Sequence, residues 1–282
     1  MKHTLTIILL IITNYFFAQN ILYVEADNGL NVREKPQLSS KKIGKLDYST
    51  AVKVFQNTGL ELTIKDEGKD VTGEWVEVHE INGDLKGYVF NGFLTSTELN
   101  SRIDIKFKGF SLQMELEVWD EDKNLEKVKK DRAMVDVELG DSPEQKEIKI
   151  KHSKFKNIEV FQRYRNNITI MNEGPHCDLT EWKHYDSNWK KLDYNSKQNT
   201  FTTVSYDEND RNKFLNVDLN DLKQAVNNAC GENWAALLKD VKKLDEYPIG
   251  ISISKIYLKI VLTKKDNTVI EKIVVFKMPM GC

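Results

Sequence analysis

The sequence predicts a small all-β barrel followed by an α+β domain, an antiparallel sheet with a late helical pair. Three observations lead there. From Ile21 to Leu94, short apolar runs are separated by turn residues. From Ile103 onward, longer stretches alternate apolar and polar side chains with period two, as half-buried strands do. Between Asp218 and Leu244 the apolar spacing becomes i, i+3, i+4, i+7, the mark of a helix with one buried face. The 282 residues suit two domains of roughly 100–200 residues each. Net charge is −2, from 41 Lys+Arg against 43 Asp+Glu, which excludes the strongly basic footprint of a dedicated nucleic-acid binder. The signs are well mixed and 40% of residues are hydrophobic, which excludes a charge-swollen disordered chain.

In the first domain, Leu30-Asn31-Val32-Arg33 alternates and stops at Pro36. Ala51 to Phe55 and Trp75 to Val78 read as further strands, and Asn82-Gly83-Asp84 supplies residues that tolerate positive φ in a hairpin turn. Gly87 to Phe90 is the last clear strand, closed by Gly92-Phe93-Leu94. Taken in order, Leu30 to Pro36, Ile43 to Leu46, Trp75 to Val78, Gly87 to Val89 and Phe93-Leu94 resemble the bacterial SH3-like (SH3b) domain over residues 21–96. That resemblance implies an SH3-like small barrel used to bind cell-wall peptides or to target a neighbouring enzyme. Its implied ligand-binding candidates are Asn31, Arg33, Trp75, Tyr88, Phe90 and Phe93. Trp75 and Tyr88 are expected chiefly to fill the barrel, since their strands alternate apolar with charged residues, and Asn31 and Arg33 to stabilise turns. The segment Gln56 to Glu74 is longer than the family's shortest members carry, and its alternating Leu60 to Ile64 with turn-like Asp66 to Asp70 predicts an extra hairpin.

Thr97 to Arg102 reads as a linker, and residues 103–282 as the α+β domain, which resembles no family. Strands are expected at Ile103 to Phe107, Leu112 to Val118, Met134 to Leu139, Ile148 to Ile150, Ile158 to Phe161 and Ile168 to Met171, with Asn166-Asn167 as a turn. Gly174-Pro175 breaks the pattern. Asp218 or Asn220 caps a helix carrying Leu222, Ala225, Val226 and Ala229, which Gly231 stops. Glu232 to Leu244 is the second helix, and Ile249 to Thr263 and Thr268 to Met278 form a closing hairpin.

Residues 1–19 have the layout of a secretory signal peptide: Lys2, an apolar run from Leu5 to Ile12, then Ala18 as the small residue at a cleavage site. The run is shorter than the roughly 20 residues of a membrane-spanning helix. An exported chain sets a disulfide as the first expectation for Cys177, Cys230 and Cys282: Cys177 with Cys230 or Cys282, leaving one free thiol.

The densest chemical cluster is Pro175 to Tyr185. His176, Cys177, Asp178, Trp182 and His184 form a candidate second site, as metal ligands or around a Cys177 nucleophile; the competing reading is a structural loop stapled through Cys177. The His176/His184 spacing matches no standard zinc pattern, and neighbouring residues of an extended chain point to opposite sides. Trp182, Tyr185, Trp189 and Tyr194 form either a stacking platform for sugar or peptide or ordinary packing. Asp120-Glu121-Asp122 and Asp207-Glu208-Asn209-Asp210 lack the glycine and terminal Glu of a calcium loop and read as solvated loops; Lys127-Lys129-Lys130-Arg132 reads as a solvated face. No G-x-S-x-G, H-E-x-x-H, phosphate loop or dinucleotide fingerprint is present, so no catalytic residue, metal or cofactor is assigned.

The expectation is thus an exported, periplasmic or secreted, non-catalytic envelope-binding protein. Its partner is cell-wall peptide or an envelope protein, not nucleic acid, with no membrane span after signal removal. The alternatives are a hydrolase with its active site in the 175–185 loop, and an interaction or inhibitor protein for an exported enzyme. N-terminal sequencing of protein from its native host is expected to start at Gln19 or Asn20; an intact Met1 overturns the signal-peptide reading.

Overall fold

The fold is described from a computed structural model, which describes residues 21–66, 68–117, 125–129, 131–152, 155–179, 182–183, 185–211 and 214–279. The expected signal peptide, Asp120-Glu121-Asp122, His184 and Cys282 lie outside the described residues, as do the side chains of Lys127, Lys129 and Lys130. The chain divides into two compact units, one ending at Asn100 and the other starting at Ser101.

The first unit is a single curled sheet. Its strands are β1 (Ile21–Val24), β2 (Leu30–Arg33), β3 (Lys42–Leu46), β4 (Ala51–Asp66), β5 (Lys69–Glu80), β6 (Lys86–Phe90) and β7 (Leu94–Thr95). They run in the order β3-β2-β6-β5-β4-β1-β7. Period-two alternation turns Val32, Val52, Val76, Val78 and Val89 into one core with Val24, Leu30 and Leu46. The segment 56–74 is a hairpin continuous with the barrel strands: it lengthens β4 and β5 into one ribbon paired out to Asp66↔Lys69. Gly59 (φ 70°) sits in a bulge between Asn57 and Glu61, and its N–H is held by the Glu74 carboxylate at 2.8 Å. The chain therefore kinks within the ribbon and continues as strand.

The second unit is mainly β with few, short helices. Its strands are β8 (Arg102–Phe107), β9 (Phe110–Glu115), β10 (Leu125–Lys129), β11 (Arg132–Asp136), β12 (Glu147–His152), β13 (Phe155–Met171), β14 (His176–Asp178), β15 (Tyr185–Asp186), β16 (Lys190–Lys191), β17 (Tyr194–Asn195), β18 (Thr200–Thr202), β19 (Ile249–Lys264) and β20 (Val269–Lys277). One sheet runs β10-β11-β20-β19-β13-β14, with β15 and β16 also pairing β13; the other runs β17-β18-β12-β9-β8. Ile105, Leu112, Ile148 and Phe201 from the second sheet meet Val135, Val160, Leu258, Ile260 and Phe276 from the first in one sandwich core. The first sheet is not wholly antiparallel: β11 pairs β20 in parallel, from Arg132↔Ile273 to Asp136↔Lys277. Asn166-Asn167 is no turn either. Both residues lie inside β13, where Ser254 is the extra residue of a bulge in β19 between the pairs Arg165↔Lys255 and Asn166↔Ile253.

The helices are α1 (Glu208–Arg211), α2 (Leu219–Cys230) and α3 (Glu232–Ala236). Asp218 caps α2, its carboxylate accepting the N–H groups of Asn220 and Asp221, and Gly231 (φ 93°) ends it. The second helix is much shorter than its spacing predicts. The chain leaves α3 at Ala236 and turns so that Leu238 and Leu244 both enter the second core, beside Leu222, Val226, Ile168 and Ile170. A single straight helix face does not place residues six apart together.

Cys177 on β14 is bonded to Cys230 at the end of α2, with their Cα atoms 6.1 Å apart, which ties the helix to the sheet edge. The bridge spans 53 residues, so chain-entropy arithmetic sets its contribution near 4 kcal/mol at most. Non-reducing peptide mapping should recover Cys177 and Cys230 together, and Cys230→Ser should cost about 2–4 kcal/mol in a denaturant melt. A variant as stable as the parent counts against the staple.

Candidate functional site

In the first unit the strands that point Val32, Val76, Val78 and Val89 inward necessarily point their neighbours outward. Asn31, Arg33, Trp75, Tyr88 and Phe90 all fall on that opposite face. Tyr88, half-buried, is thus one residue out of phase with the core and does not fill the barrel, whereas Trp75, on the same face by alternation, is buried as expected. Cross-strand pairing sets Arg33 opposite Tyr88, Tyr88 opposite Glu77, and Glu77 opposite Gln56, a row of cation, phenol, carboxylate and amide.

Trp75 pairs with Phe90 and is only 5% exposed, so its indole is not offered to a ligand. Phe93 behaves differently from the other five candidates. It packs against the inner core and meets Phe90 edge-on at 5.6 Å. Gly92 lies so close beneath the Phe90 ring that any Cβ there would collide with it. Arg33 donates to the Ser40 carbonyl at 2.6 Å, and the Ser40 hydroxyl accepts the Lys35 N–H at 2.9 Å, so this arginine clamps the turn that follows β2.

Sequence reasoning missed the exposed aromatic of this unit. Phe55 is 52% exposed, stacks on His79 with ring centroids 3.7 Å apart, and has the Lys53 ammonium 5.0 Å from its ring. It sits in a bulge between Val54 and Gln56, which simple alternation does not reveal.

Among its described residues, the 175–185 cluster offers no free thiol. In β14, His176 is exposed while Cys177 is buried with its sulfur in the disulfide, which removes the thiol nucleophile. The Asp178 carboxylate accepts the Thr169 hydroxyl at 2.6 Å. Trp182 packs on the helical core and, with Asp178 and Asp221, lines a shallow groove of ≈ 550 Å³ along α2. Among the described residues, no group of three His, Cys, Asp or Glu side chains is placed to hold a metal ion.

The aromatic series also disperses. Tyr185 packs on Phe214 at 4.7 Å, Trp189 lies over the guanidinium of Arg163 at 4.5 Å, and Tyr194 packs on Phe201 at 5.1 Å.

A buried polar seam on β13 was invisible in the sequence. Gln162, Tyr164 and Asn166 share one face and are at most 1% exposed. Gln162 exchanges two hydrogen bonds with the Val204 backbone, both 2.9 Å. The Tyr164 hydroxyl lies 2.5 Å from the Val204 carbonyl and 2.8 Å from the Glu144 carboxylate. Tyr206 donates to the Asn166 amide oxygen at 2.7 Å, and the Asn166 amide nitrogen donates to the Asp210 carbonyl at 2.6 Å. The Lys190 ammonium donates to Asp207 and Asp210 at 2.8 and 2.7 Å, and Asp210 is 2% exposed. Asp207, Glu208 and Asn209 are exposed, as a solvated segment is, whereas Asp210 is buried and joins the seam, with Asp207 tied to it through Lys190.

Burial, and then the Glu144 carboxylate, push the Tyr164 phenol far above its ordinary range. Burial, and then Asp210, raise Tyr206 as well. Both phenols keep their protons at neutral pH and act as donors that pin residues 203–211 to the strand. The hydrogen bond from Lys190 holds Asp207 below the ordinary carboxylate range.

Residues 28–95 match the family described as Bacterial SH3 domain, and the remainder of the chain is unassigned. No curated protein matches the chain.

Tyr164→Phe is expected to cost about 1–3 kcal/mol at neutral pH, since it removes the donor that a buried carbonyl and a carboxylate share. A phenol whose pKa is raised on folding gives stability that is whole below about pH 10 and falls as pH climbs above it. Denaturant melts from about pH 8 to 11 should show that alkaline fall in the parent, and a shallower one in Tyr164→Phe.

Proposed function

We propose that the protein is an exported, non-catalytic binding protein of the bacterial envelope, whose SH3 domain holds cell-wall peptide on the sheet face opposite its core. The observation that carries this reading is the outward row Arg33–Tyr88–Glu77, flanked by the exposed Phe55 and by Lys53. A short peptide with free carboxylates and amines needs such a set: cations for its carboxylates, Glu77 for an amine, and flat ring surface for its aliphatic parts. The bacterial SH3 domain and the Cys177–Cys230 bridge are consistent with an extracytoplasmic setting. Among the described residues, no helix is long and apolar enough to cross a membrane. So open a face gives modest affinity, and area alone does not set it. The second unit then serves a separate interaction.

Co-sedimentation of the full chain with purified cell wall tests the reading. Tyr88→Ala and Phe55→Ala should each lower retention about tenfold, the effect of truncating an aromatic anchor by roughly 1–2 kcal/mol, with the circular dichroism unchanged. Retention untouched by both substitutions rejects this face. Release of muropeptides by the intact protein would replace the binding reading with hydrolysis.

A further inference from the structure

Residues of both sheets of the second unit line an open cleft of ≈ 510 Å³, well within the usual range of roughly 300–1,000 Å³ for small-ligand sites. Its floor is apolar, made by Ile150 and Phe201 of one sheet and by Ile158 and Leu192 on the β13 side. Its wall is polar: His152, Asn157, Glu159, Asp193 and Asn199 line it. At the mouth stands Tyr194, 53% exposed and the last member of the aromatic series.

Tyr194 is held more firmly than an exposed tyrosine needs to be. It pairs across a hairpin with Phe201 and packs on that ring at 5.1 Å. Its hydroxyl donates to the Asn199 side-chain oxygen at 2.7 Å, and Asn199 is itself in the left-handed conformation at φ 58°. The Asn195 side chain accepts the Lys197 N–H at 3.1 Å, which fixes the turn between the two strands. An exposed ring fixed in this way loses little freedom when a ligand covers it, which is the condition for a preorganised stacking surface.

The charges at the cleft decide what chemistry fits. Lys191 is ion-paired with Glu159, Lys156 reaches the side-chain oxygen of Asn267, and Asp193 adds a carboxylate. Two ammonium groups and two carboxylates balance, so the lining favours no net charge, and an acyl chain would strip water from Asn157, Asp193 and Asn199 without replacing their hydrogen bonds. A neutral ligand with an apolar face and a rim of hydroxyls satisfies both halves of the lining.

We infer that this cleft is a saccharide site, taking a short neutral oligosaccharide with one sugar ring stacked on Tyr194 and its hydroxyls bonded by Asp193, Asn199 and Asn157. The site is separate from the SH3 face and does not depend on the peptide-binding reading.

Calorimetric titration of the full chain with four neutral tetrasaccharides tests it, β-linked glucose, N-acetylglucosamine, galactose and mannose being the probes. At least one should bind, with Tyr194→Ala weakening it about tenfold or more and Tyr194→Phe by less than about threefold. Asp193→Ala, an exposed substitution outside the hairpin's packing, should weaken the same probe. Tyr88→Ala should leave it unchanged, which separates failure here from failure of the wall-peptide reading. Absence of binding by all four probes at about 10 mM overturns the inference, and so does binding that Tyr194→Ala and Asp193→Ala leave intact.

Discussion

Everything in the second unit hangs on one register, that of β13 against β19. The strand runs 17 residues, and its even-numbered side chains enter two different cores: Val160 and Tyr164 the sandwich, Ile168 and Ile170 the helical one. A slip of one residue would turn all of them outward together. The bulge that omits Ser254 from the pairing keeps the phase across the junction. Between the cores lies the seam of Gln162, Tyr164 and Asn166, whose hydrogen bonds fix the segment from Val204 to Asp210 against this face of β13. Apolar packing would tolerate neighbouring placements of that segment more readily than a buried amide does, so the seam trades some desolvation cost for a unique placement.

The opposite face of the same sheet carries cations over rings. The Arg163 guanidinium lies 4.5 Å from the Trp189 ring and 4.9 Å from the Tyr257 ring, while Lys259 stands between Trp189 and Phe161 at 4.7 and 4.9 Å. Asp186 holds Arg165 through two bonds of 2.6 and 3.0 Å and also pairs with Arg163. Long cationic stems thereby roof aromatic surface, and Tyr257 is buried on what would otherwise be a bare sheet. The Trp and Tyr residues that looked like a ligand platform in the sequence are divided between this roof, the helical core and the hairpin at the cleft.

What was legible in the sequence was whatever depends on local period. The strands around Val32, Val76, Leu112, Ile148 and Leu258 to Leu262 needed only alternation, and α2 needed only its spacing and the Asp218 and Gly231 ends. The SH3 domain was legible because its motifs occur in order. Phase was harder than period. Trp75 and Tyr88 belong to well-marked strands, yet which face meets the core is settled by Val76, Val78 and Val89 acting together. Long-range partners left no local trace: Asn166-Asn167 has turn composition, and only Asp210 and Tyr206, far along the chain, make it a strand. The Cys177–Cys230 pairing was one of two left open, and the parallel β11–β20 pair had no signal at all.

That parallel pair has a consequence for the order of events during synthesis. β20 lies between β11 and β19 in the sheet, although it is the last of the described strands, and β19 in turn stands between β20 and β13. The ribosome therefore releases the two outer walls long before the pieces that join them. Until Lys277 has emerged, Val135 and Val160 face a gap that only Leu258, Ile260, Val274 and Phe276 can fill. The SH3 domain waits less: β2 needs β6 and β1 needs β7, and both partners are complete by Thr95. The nascent chain is thus a finished module followed by a long unclosed one, and any machinery that handles this protein before β20 emerges meets the second unit in its unassembled state.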